Sequence, residues 1–559
     1  MTSLPSPSET LAVDDADAPN DEAEKYAQAQ KEQARKLANW DPSYTSERVD
    51  WYKEYTQRHA AIKESWFQRA DDGAGDEKET REATGVGVLY RDSAVADKLI
   101  APMDDGSVCL WDLAPEDPNN ISGAKGRLHH RSPMGLLTGR GPDFDKDRRI
   151  TDSKAMMTET GAVECVSIDS SQQKGYFAVQ NFLNEVDLHT FQVVSRQQFP
   201  FPITALSEAQ CSVPMTVGTH MTLHLHDPRR PLNYAAEEPS FRCELIGGTP
   251  PNSIPTFGDL ASNHATLSQP GPLSILHLPP GREWDMAGDI WVAGRFTSML
   301  GYDRRFFPKI AGTIHSGARI SCLTSLPFPF IPRRLGLLSA EERNLQDANA
   351  LRGIPGTTII AAGEYKGKGS LEFYGLSTHS DYTPFSTGQG FYGQRNVFQN
   401  RQTASRSKLL SVVAHGTTFA YSDGDGLVKW VERDGFTSVR QWNLNPESEI
   451  VSVGERDQPS PAQTVPPADD IVQKMIPVSV TSSNTSSSPD NLLIWTGEGK
   501  LGLLSYGKSS GFDADAFEAV LSAEDEQRRR NEREYAGTMR RALERQADEV
   551  RWFGSLRFD

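Results

Sequence analysis

The sequence predicts an all-β propeller with flanking N- and C-terminal α-helices, and three observations support that fold class. The chain has 559 residues, which suits either several domains or one large repeat fold. Between residues 86 and 507, helical periodicity gives way to short alternating strands separated by turn residues. These strands recur as similar units, and small sheets arranged in a closed ring bury both of their faces against neighbours.

The clearest unit runs from Lys98 to Leu113 and has the sequence KLIAPMDDGSVCLWDL. It predicts an apolar strand, a tight turn at Asp105-Gly106 and an alternating strand that ends in Trp111-Asp112. Six further segments share this layout, and they begin at Gly175, Met215, Asp289, Thr357, Thr417 and Asn491. Seven blades are therefore predicted, and six or eight stay open because the spacing of the units varies.

Most units follow a short apolar stretch that we expect to be the innermost strand of its blade. These stretches lie at 162–169, 202–207, 274–278, 318–326, 408–416 and 474–480. The fourth strand is expected in the connection to the next unit. Segments rich in Pro, Gly, Ser and charge are expected to be rim loops, and they span 114–161, 230–271, 332–356, 377–407 and 454–468.

The ends of several units resemble the blade-terminating signature of the WD-repeat family. The matching residues are Trp111-Asp112, Val186-Asp187-Leu188 and His226-Asp227-Pro228-Arg229, and the resemblance covers Val86 to Tyr506. Only the first unit carries the full dipeptide, and the Gly-His element that opens a typical repeat is missing or degenerate. The resemblance implies a propeller that binds other proteins and is not an enzyme.

Composition divides the rest of the chain into four segments. Residues 1–23 are acidic and are predicted to be disordered, and residues 24–70 are predicted to be helical. Residues 71–85 form a charged linker, and residues 508–559 form a second helical region.

Both helical regions carry apolar side chains at steps of three and four, so each predicts one apolar face. Such a face either packs on its own domain or docks another chain, and both alternatives remain open. The first stripe consists of Tyr52, Tyr55, His59, Ile62 and Trp66, and the second of Tyr535, Met539, Leu543, Val550 and Phe553.

The N-terminal stripe also contains the pattern W-x-x-x-Y-x-x-R at Trp51, Tyr55 and Arg58, followed by Trp66. This pattern resembles the helix that follows the F-box in fungal F-box proteins with WD-like propellers. The resemblance implies the substrate-recognition subunit of a cullin-type, SCF-like ubiquitin ligase, whose chemistry resides in other subunits. The F-box itself is not evident, because only Leu4-Pro5 matches its start. Either the module has been lost, or the gene model is truncated, or the resemblance reflects only shared propeller architecture. The alternative is a general scaffold for protein assembly without ubiquitin chemistry.

Charge and cysteine content narrow the class of protein further. Acidic side chains outnumber basic ones by 75 to 58, and the formal charge of −17 disfavours nucleic acid as a partner. Five widely spaced cysteines fit reduced thiols in the cytoplasm or nucleus. No secretory signal or membrane span is evident, so a membrane partner is not expected.

Motifs that could support chemistry are weak. Gly502 to Ser509 matches a phosphate-binding loop but falls in an alternating strand, and Gly388 to Gly393 matches a dinucleotide pattern inside a polar insertion. His129, His130, His224 and His226 have no evident metal-ligating partners. We therefore expect no catalytic residue, no metal site and no cofactor.

The candidate partner-binding residues fall into two groups. Trp51, Tyr55 and Trp66 belong to the N-terminal stripe. Arginines near predicted blade ends form the second group, which would bind an acidic or phosphorylated peptide if its members converged on one face and would otherwise be scattered rim charge. These arginines are Arg229, Arg230, Arg295, Arg304, Arg305 and Arg319.

Overall fold

The computed structural model describes most of the propeller strands and part of the flanking sequence. The described residues are 49–67, 81–91, 95–113, 126–139, 146–210, 213–227, 243–245, 271–278, 289–327, 356–377, 397–445, 470–478 and 491–506, with isolated positions between 527 and 545. The chain divides into two units, Met1–Gly507 and Lys508–Asp559. In the second unit the described positions are helical, and Tyr535 and Met539 are exposed.

The first unit is a seven-bladed β-propeller in which each blade is a four-stranded antiparallel sheet. It opens with helix α1 (Trp51–His59) and strand β1 (Ile62–Trp66). Blade 1 contains β2 (Gly87–Arg91), β3 (Val95–Pro102), β4 (Val108–Asp112) and β5 (Leu128–Arg131). Helix α2 (Lys146–Glu159) follows, and then blade 2, with β6 (Val166–Asp169), β7 (Lys174–Val179), β8 (Phe182–Asp187) and β9 (Gln192–Gln198).

The remaining blades follow in chain order. Blade 3 contains β10 (Ile203–Leu206), β11 (Met215–Thr219), β12 (Thr222–His226) and β13 (Cys243–Leu245), and blade 4 contains β14 (Pro272–His277), β15 (Asp289–Gly294), β16 (Ser298–Asp303) and β17 (Ile310–His315). Blade 5 contains β18 (Arg319–Leu326), β19 (Gly356–Tyr365), β20 (Lys368–Ser377) and β21 (Val397–Ser405). Blade 6 contains β22 (Leu409–His415), β23 (Thr418–Asp423), β24 (Leu427–Glu432) and β25 (Ser438–Asn443).

Blade 7 joins the two ends of the propeller. Its first three strands are β26 (Val472–Pro477), β27 (Leu492–Thr496) and β28 (Leu501–Tyr506), and β1 is the fourth and outermost strand. Ile62 is paired with Tyr506, and Trp66 with Gly502. The predicted fold class, an all-β propeller with seven blades, is therefore confirmed, and each of the seven predicted units is the central hairpin of one blade.

The predicted helix to residue 70 is corrected by this pairing. Helix α1 ends at His59, because Ala60 adopts an extended conformation with φ −70° and ψ 154°. The chain then continues as a strand from Ile62 to Trp66, and its backbone groups pair with the open edge of β28. If the helix continued instead, the backbone groups of that edge would remain unpaired. The helical spacing of these two residues is therefore coincidental.

Three of the predicted rim insertions contain regular structure. Strand β5 and helix α2 lie within 114–161, β13 lies within 230–271, and β21 lies within 377–407. Each of these strands is the outermost of its blade, where one neighbour supplies the backbone pairing and side-chain alternation is weak. Residues 332–355 and 454–468 lie outside the described residues.

The core lies between the blades. At the contact of blades 6 and 7, Trp430 and Ala420 from blade 6 pack with Met475, Leu504 and Tyr506 from blade 7. Similar apolar clusters join the other neighbouring blades, so every sheet is covered on both faces. None of the described helices is both long and apolar enough to span a membrane.

Candidate protein-interaction surface

Helix α1 has a defined beginning and is short. The Asp50 carboxylate caps it by accepting hydrogen bonds from the backbone N–H groups of Tyr52 (3.1 Å) and Lys53 (3.2 Å). At nine residues the helix is too short to be stable alone in water, so it depends on contacts with the propeller.

Polar side chains provide those contacts on one face of α1. Glu54 is only 5% exposed, and its carboxylate accepts hydrogen bonds from the backbone N–H of Thr417 (3.1 Å) and from the Thr417 hydroxyl. Arg58 donates to Glu54 Oε1 at 2.7 Å and makes a bidentate pair with Glu432, whose Oε2 lies 3.0 Å from Nη2. The Arg58 guanidinium therefore lies between two buried carboxylates.

Glu432 depends on that arginine for its charge. Burial raises the pKa of Glu432 to about 7, although the Arg58 hydrogen bond and charge lower it. Without Arg58 the buried carboxylate would have no compensating cation on this helix.

The C-terminal end of α1 is held by blade 6. Arg440, on the outermost strand β25, donates to the carbonyl groups of Gln57 and Ala60, the second at 2.8 Å. These carbonyls lie at the helix terminus, where no intrahelical N–H reaches them. The Arg440 guanidinium also lies over the rings of Trp430 (5.8 Å) and Tyr506 (5.5 Å), so the same residue joins α1 to the contact between blades 6 and 7.

A glycine allows the close approach of α1 to the propeller. Gly416 lies in the turn between β22 and β23 with φ +58°, and a Cβ atom there would lie 2.6 Å from both Gln57 Oε1 and Glu54 Oε2. A side chain at this position would push the helix away from blade 6 and strain the turn.

The other face of α1 points into solvent. Tyr52 is 80% exposed and Tyr55 is 64% exposed, and the ring of His59 lies 4.7 Å from that of Tyr55. We call these three residues the aromatic patch. Of the two alternatives for this helix, packing on its own domain is therefore the one observed. The packing uses polar residues, however, and leaves the aromatic stripe uncovered.

The other two aromatic candidates occupy different positions. Trp66 is exposed on β1, four residues beyond Ile62 and therefore about 13 Å along the strand, with its ring against Gly502. It extends the surface along the edge of blade 7 and does not join the aromatic patch. Trp51 is the first residue of α1, and its side chain lies outside the described residues.

The arginine candidates are divided between the two faces of the ring. Neighbouring strands of a blade are antiparallel, so successive connections alternate between the two faces of the ring. One face carries the turns between second and third strands and the connections that enter each blade. The other face carries the turns between first and second strands and between third and fourth strands. Arg295 and Arg319 are exposed on the first of these faces. Arg304 follows a third strand, so it lies at the opposite face, where it is largely buried, and Arg305 beside it is exposed. Arg229 and Arg230 lie outside the described residues.

Polar contacts between inner strands connect different blades. Lys474 on β26 pairs with Glu164 beside β6 at 2.7 Å, which connects blades 7 and 2. Burial lowers the pKa of Lys474, but Glu164 outweighs this effect and the net shift is upward. The hydroxyl groups of Ser274 and Ser411 accept backbone N–H bonds from Leu323 (3.0 Å) and Met475 (3.1 Å) in the next blade. These contacts hold the ring together.

The cysteine side chains that the structure describes are free thiols, and that of Cys243 is not among them. Cys109 and Cys165 are buried and Cys322 is partly buried. Burial raises the pKa of the Cys165 thiol to about 12 and that of Cys322 to about 11, so both are protonated near neutral pH. Cys211 lies outside the described residues.

The weak chemical motifs occupy structural positions where the structure describes them. Gly502 to Tyr506 of the phosphate-loop match lie in β28, and residues 388–393 are outside the described residues. His224 and His226 are buried on β12, and His224 Nε2 lies 2.6 Å from the Thr222 hydroxyl. Among the described residues, no group of three or more His, Cys, Asp or Glu could hold a metal ion.

Replacement of Arg58 by alanine tests the attachment of α1. It leaves Glu54 and Glu432 buried without their cation, so we expect docking of the helix to weaken by about 3 kcal/mol. The backbone amides of residues 51–60 should then exchange hydrogen for deuterium faster, as measured by mass spectrometry. Tyr52→Ala on the exposed face of the same helix is the matched control and should leave exchange unchanged. Equal protection in R58A and the unmodified chain would contradict this account of the attachment.

The buried His224 and the partly buried His277 predict a loss of stability in acid. Burial lowers the pKa of His224 to about 4 and, together with Arg304, that of His277 to about 3. As pH falls below about 6.5 the unfolded chain binds protons that the folded chain excludes, so stability falls, by roughly 3 kcal/mol for each histidine at pH 4. The double substitution His224→Gln and His277→Gln should reduce the dependence of the free energy of unfolding on pH between pH 6.5 and 4, as measured by urea unfolding. An unchanged slope would assign the acid sensitivity to other groups.

Comparisons with known proteins find similarity among solved structures only. No protein-family profile and no curated protein sequence matches this chain. Among solved structures, the chain is similar to the crystal structure of the Cps50 (Swd1) β-propeller domain from Myceliophteria thermophila, with 12% identity and a TM-score of 0.42. That similarity covers 76% of this chain and 97% of the other.

Proposed function

We propose that this chain is a non-catalytic propeller that binds other proteins through the aromatic patch. The observation that carries the proposal is that the two faces of α1 have different roles. Polar side chains on one face anchor the helix, and Tyr52 and Tyr55 on the other face stay exposed. If the aromatic residues served only to attach the helix, they would face blade 6.

The physical chemistry of the patch suits protein recognition. A tyrosine offers a large apolar ring with one polar tip, and such residues are enriched among the few that contribute most binding energy. The anchored helix holds both rings on a rigid base, so little conformational entropy is lost when a partner binds. Trp66 would contribute at the margin, on the edge of blade 7.

The proposal includes a cytoplasmic or nuclear location and protein partners. The net charge of −17 favours partners other than nucleic acid. The narrower alternative is a substrate-recognition subunit of a cullin-type ubiquitin ligase, which is supported only by the resemblance of Trp51, Tyr55, Arg58 and Trp66 to the helix of fungal F-box proteins. In that case the propeller selects the substrate and an adaptor binds elsewhere.

Quantitative affinity purification of the full chain tests the proposed surface. The double substitution Tyr52→Ala and Tyr55→Ala removes both rings without touching the polar anchor, so specific partners should be recovered at least about tenfold less. The matched control is Val194→Ala, which removes an exposed apolar side chain from the outermost strand of blade 2.

Circular dichroism would establish that both variants stay folded. Partner recovery that is equal for the folded double variant and the unmodified chain would sink the proposal. Cullin and its adaptor among the partners lost would favour the ligase alternative, and a set of partners without them would favour the general scaffold.

A further inference from the structure

A second surface lies on blade 4, at the connection between its third and outermost strands. A 3₁₀ turn, Arg304–Phe306, follows β16, and Phe307, Pro308 and Lys309 lead into β17 at Ile310. We call residues 304–310 the blade 4 corner. It lies on the same face of the ring as the turn beneath α1, because both connect strands at the same ends of their blades.

The blade 4 corner is held in one conformation by local contacts. The Asp303 carboxylate accepts a hydrogen bond from the backbone N–H of Arg305 (2.9 Å), and the N–H of Lys309 donates to the carbonyl of Phe306 (2.9 Å). Phe307 is buried, and its ring centroid lies 5.4 Å from that of Tyr302. With Phe307 fixed in the core, its neighbour Phe306 points outward.

Two large apolar side chains are exposed at the corner. Phe306 is 64% exposed, and Ile310 is also exposed at the start of β17. The guanidinium of Arg305 lies 5.8 Å from the centre of the Phe306 ring. An exposed aromatic ring on a firmly held turn has the features of a binding anchor, since little conformational freedom remains to be lost.

The charge at the corner is positive in a strongly acidic protein. Arg304, Arg305 and Lys309 contribute three cations. Asp303 contributes one anion, which pairs with Arg305 at 3.2 Å, and the exposed Asp289, opposite Asp303 on β15, contributes a second. Arg304 is 8% exposed and donates to the carbonyl of Pro214 at 3.2 Å, but it forms no ion pair within the described part of the chain, and its Nε has no hydrogen-bond partner. Burial lowers its pKa to about 10, so it stays charged near neutral pH.

Among the residues that the structure describes, no carboxylate pairs with Arg304, and the ring that faces it belongs to His277. His277, on the innermost strand of the same blade, bonds through Nε2 with the Thr216 hydroxyl (2.9 Å). Its imidazole is neutral near pH 7. A largely buried cation without a carboxylate is unfavourable, so an incoming anion would gain from the positive charge of Arg304.

We propose that the blade 4 corner binds an acidic segment of a partner protein that carries an aromatic or aliphatic side chain. Carboxylates of the segment pair with Arg305 and Lys309 above the positive charge of Arg304, and its apolar side chain packs on Phe306 and Ile310. A peptide is favoured over an anionic lipid surface, because an extended membrane would face the net charge of −17 of the whole chain. A short segment meets only the local charge.

This inference does not depend on the aromatic patch. The blade 4 corner and helix α1 belong to different blades and share no described contact, so either surface can fail without the other.

Fluorescence anisotropy with the full-length protein tests the corner. The probe is a fluorescein-labelled peptide, Asp-Asp-Leu-Asp-Asp-Phe-Glu-Asp, and the control peptide has Asn and Gln in place of the acidic residues. Saturable binding of the acidic peptide alone is expected at low salt. Phe306→Ser and Lys309→Glu, which alter exposed side chains and spare the core, should each weaken it about tenfold. The matched control is Arg295→Glu, an exposed arginine of the same blade on the opposite face.

Four results would overturn the proposal. They are no saturable binding, equal weakening by Arg295→Glu, binding that occurs only after deletion of residues 1–24, and binding of vesicles containing phosphatidylserine in place of the peptide. The third would identify the chain's own acidic N-terminal segment as the occupant, and the fourth a membrane.

Discussion

The pairing of β1 with β28 is the contact on which the rest of the structure depends. It joins residues more than four hundred positions apart in the chain, as the Ile62–Tyr506 and Trp66–Gly502 pairs show. Blade 7 would otherwise end in the unpaired edge of β28. Because α1 immediately precedes β1, the same closure brings the helix against blade 6, where Arg58, Glu54 and Arg440 can reach their partners.

Local signals in the sequence account for what could be predicted of the fold. Each blade is built around a hairpin, and turns such as Asp105-Gly106 or the turn at Gly426 require glycine in a left-handed conformation, which is readable from neighbouring residues. The outermost strands could not be predicted in the same way. Strands β1, β5, β13 and β21 have one pairing neighbour each, and their formation depends on that partner more than on their own pattern.

The candidate interaction surface on α1 could be predicted only in part from the sequence, for a related reason. The periodic aromatic residues of α1 predicted an apolar face but not what covers it. The decisive contacts are polar and long-range, since Arg58 and Glu432 are separated by 374 positions in the sequence. Only the Glu54–Arg58 spacing of four residues was a local indication of the anchor. The exposure of Phe306 and the burial of Arg304 against Pro214 are likewise established only once blades 3 and 4 are assembled.

We propose that the ring displays the outward face of α1 to a partner protein. Site-specific photo-crosslinking in intact cells tests it most directly, with a benzoylphenylalanine placed at Tyr55 in one strain and at Val194 in another. We expect a discrete crosslinked protein from position 55 that is absent from position 194 and is lost when Tyr52 is also replaced by alanine. The same crosslinked products from both positions, or none from position 55, would contradict it.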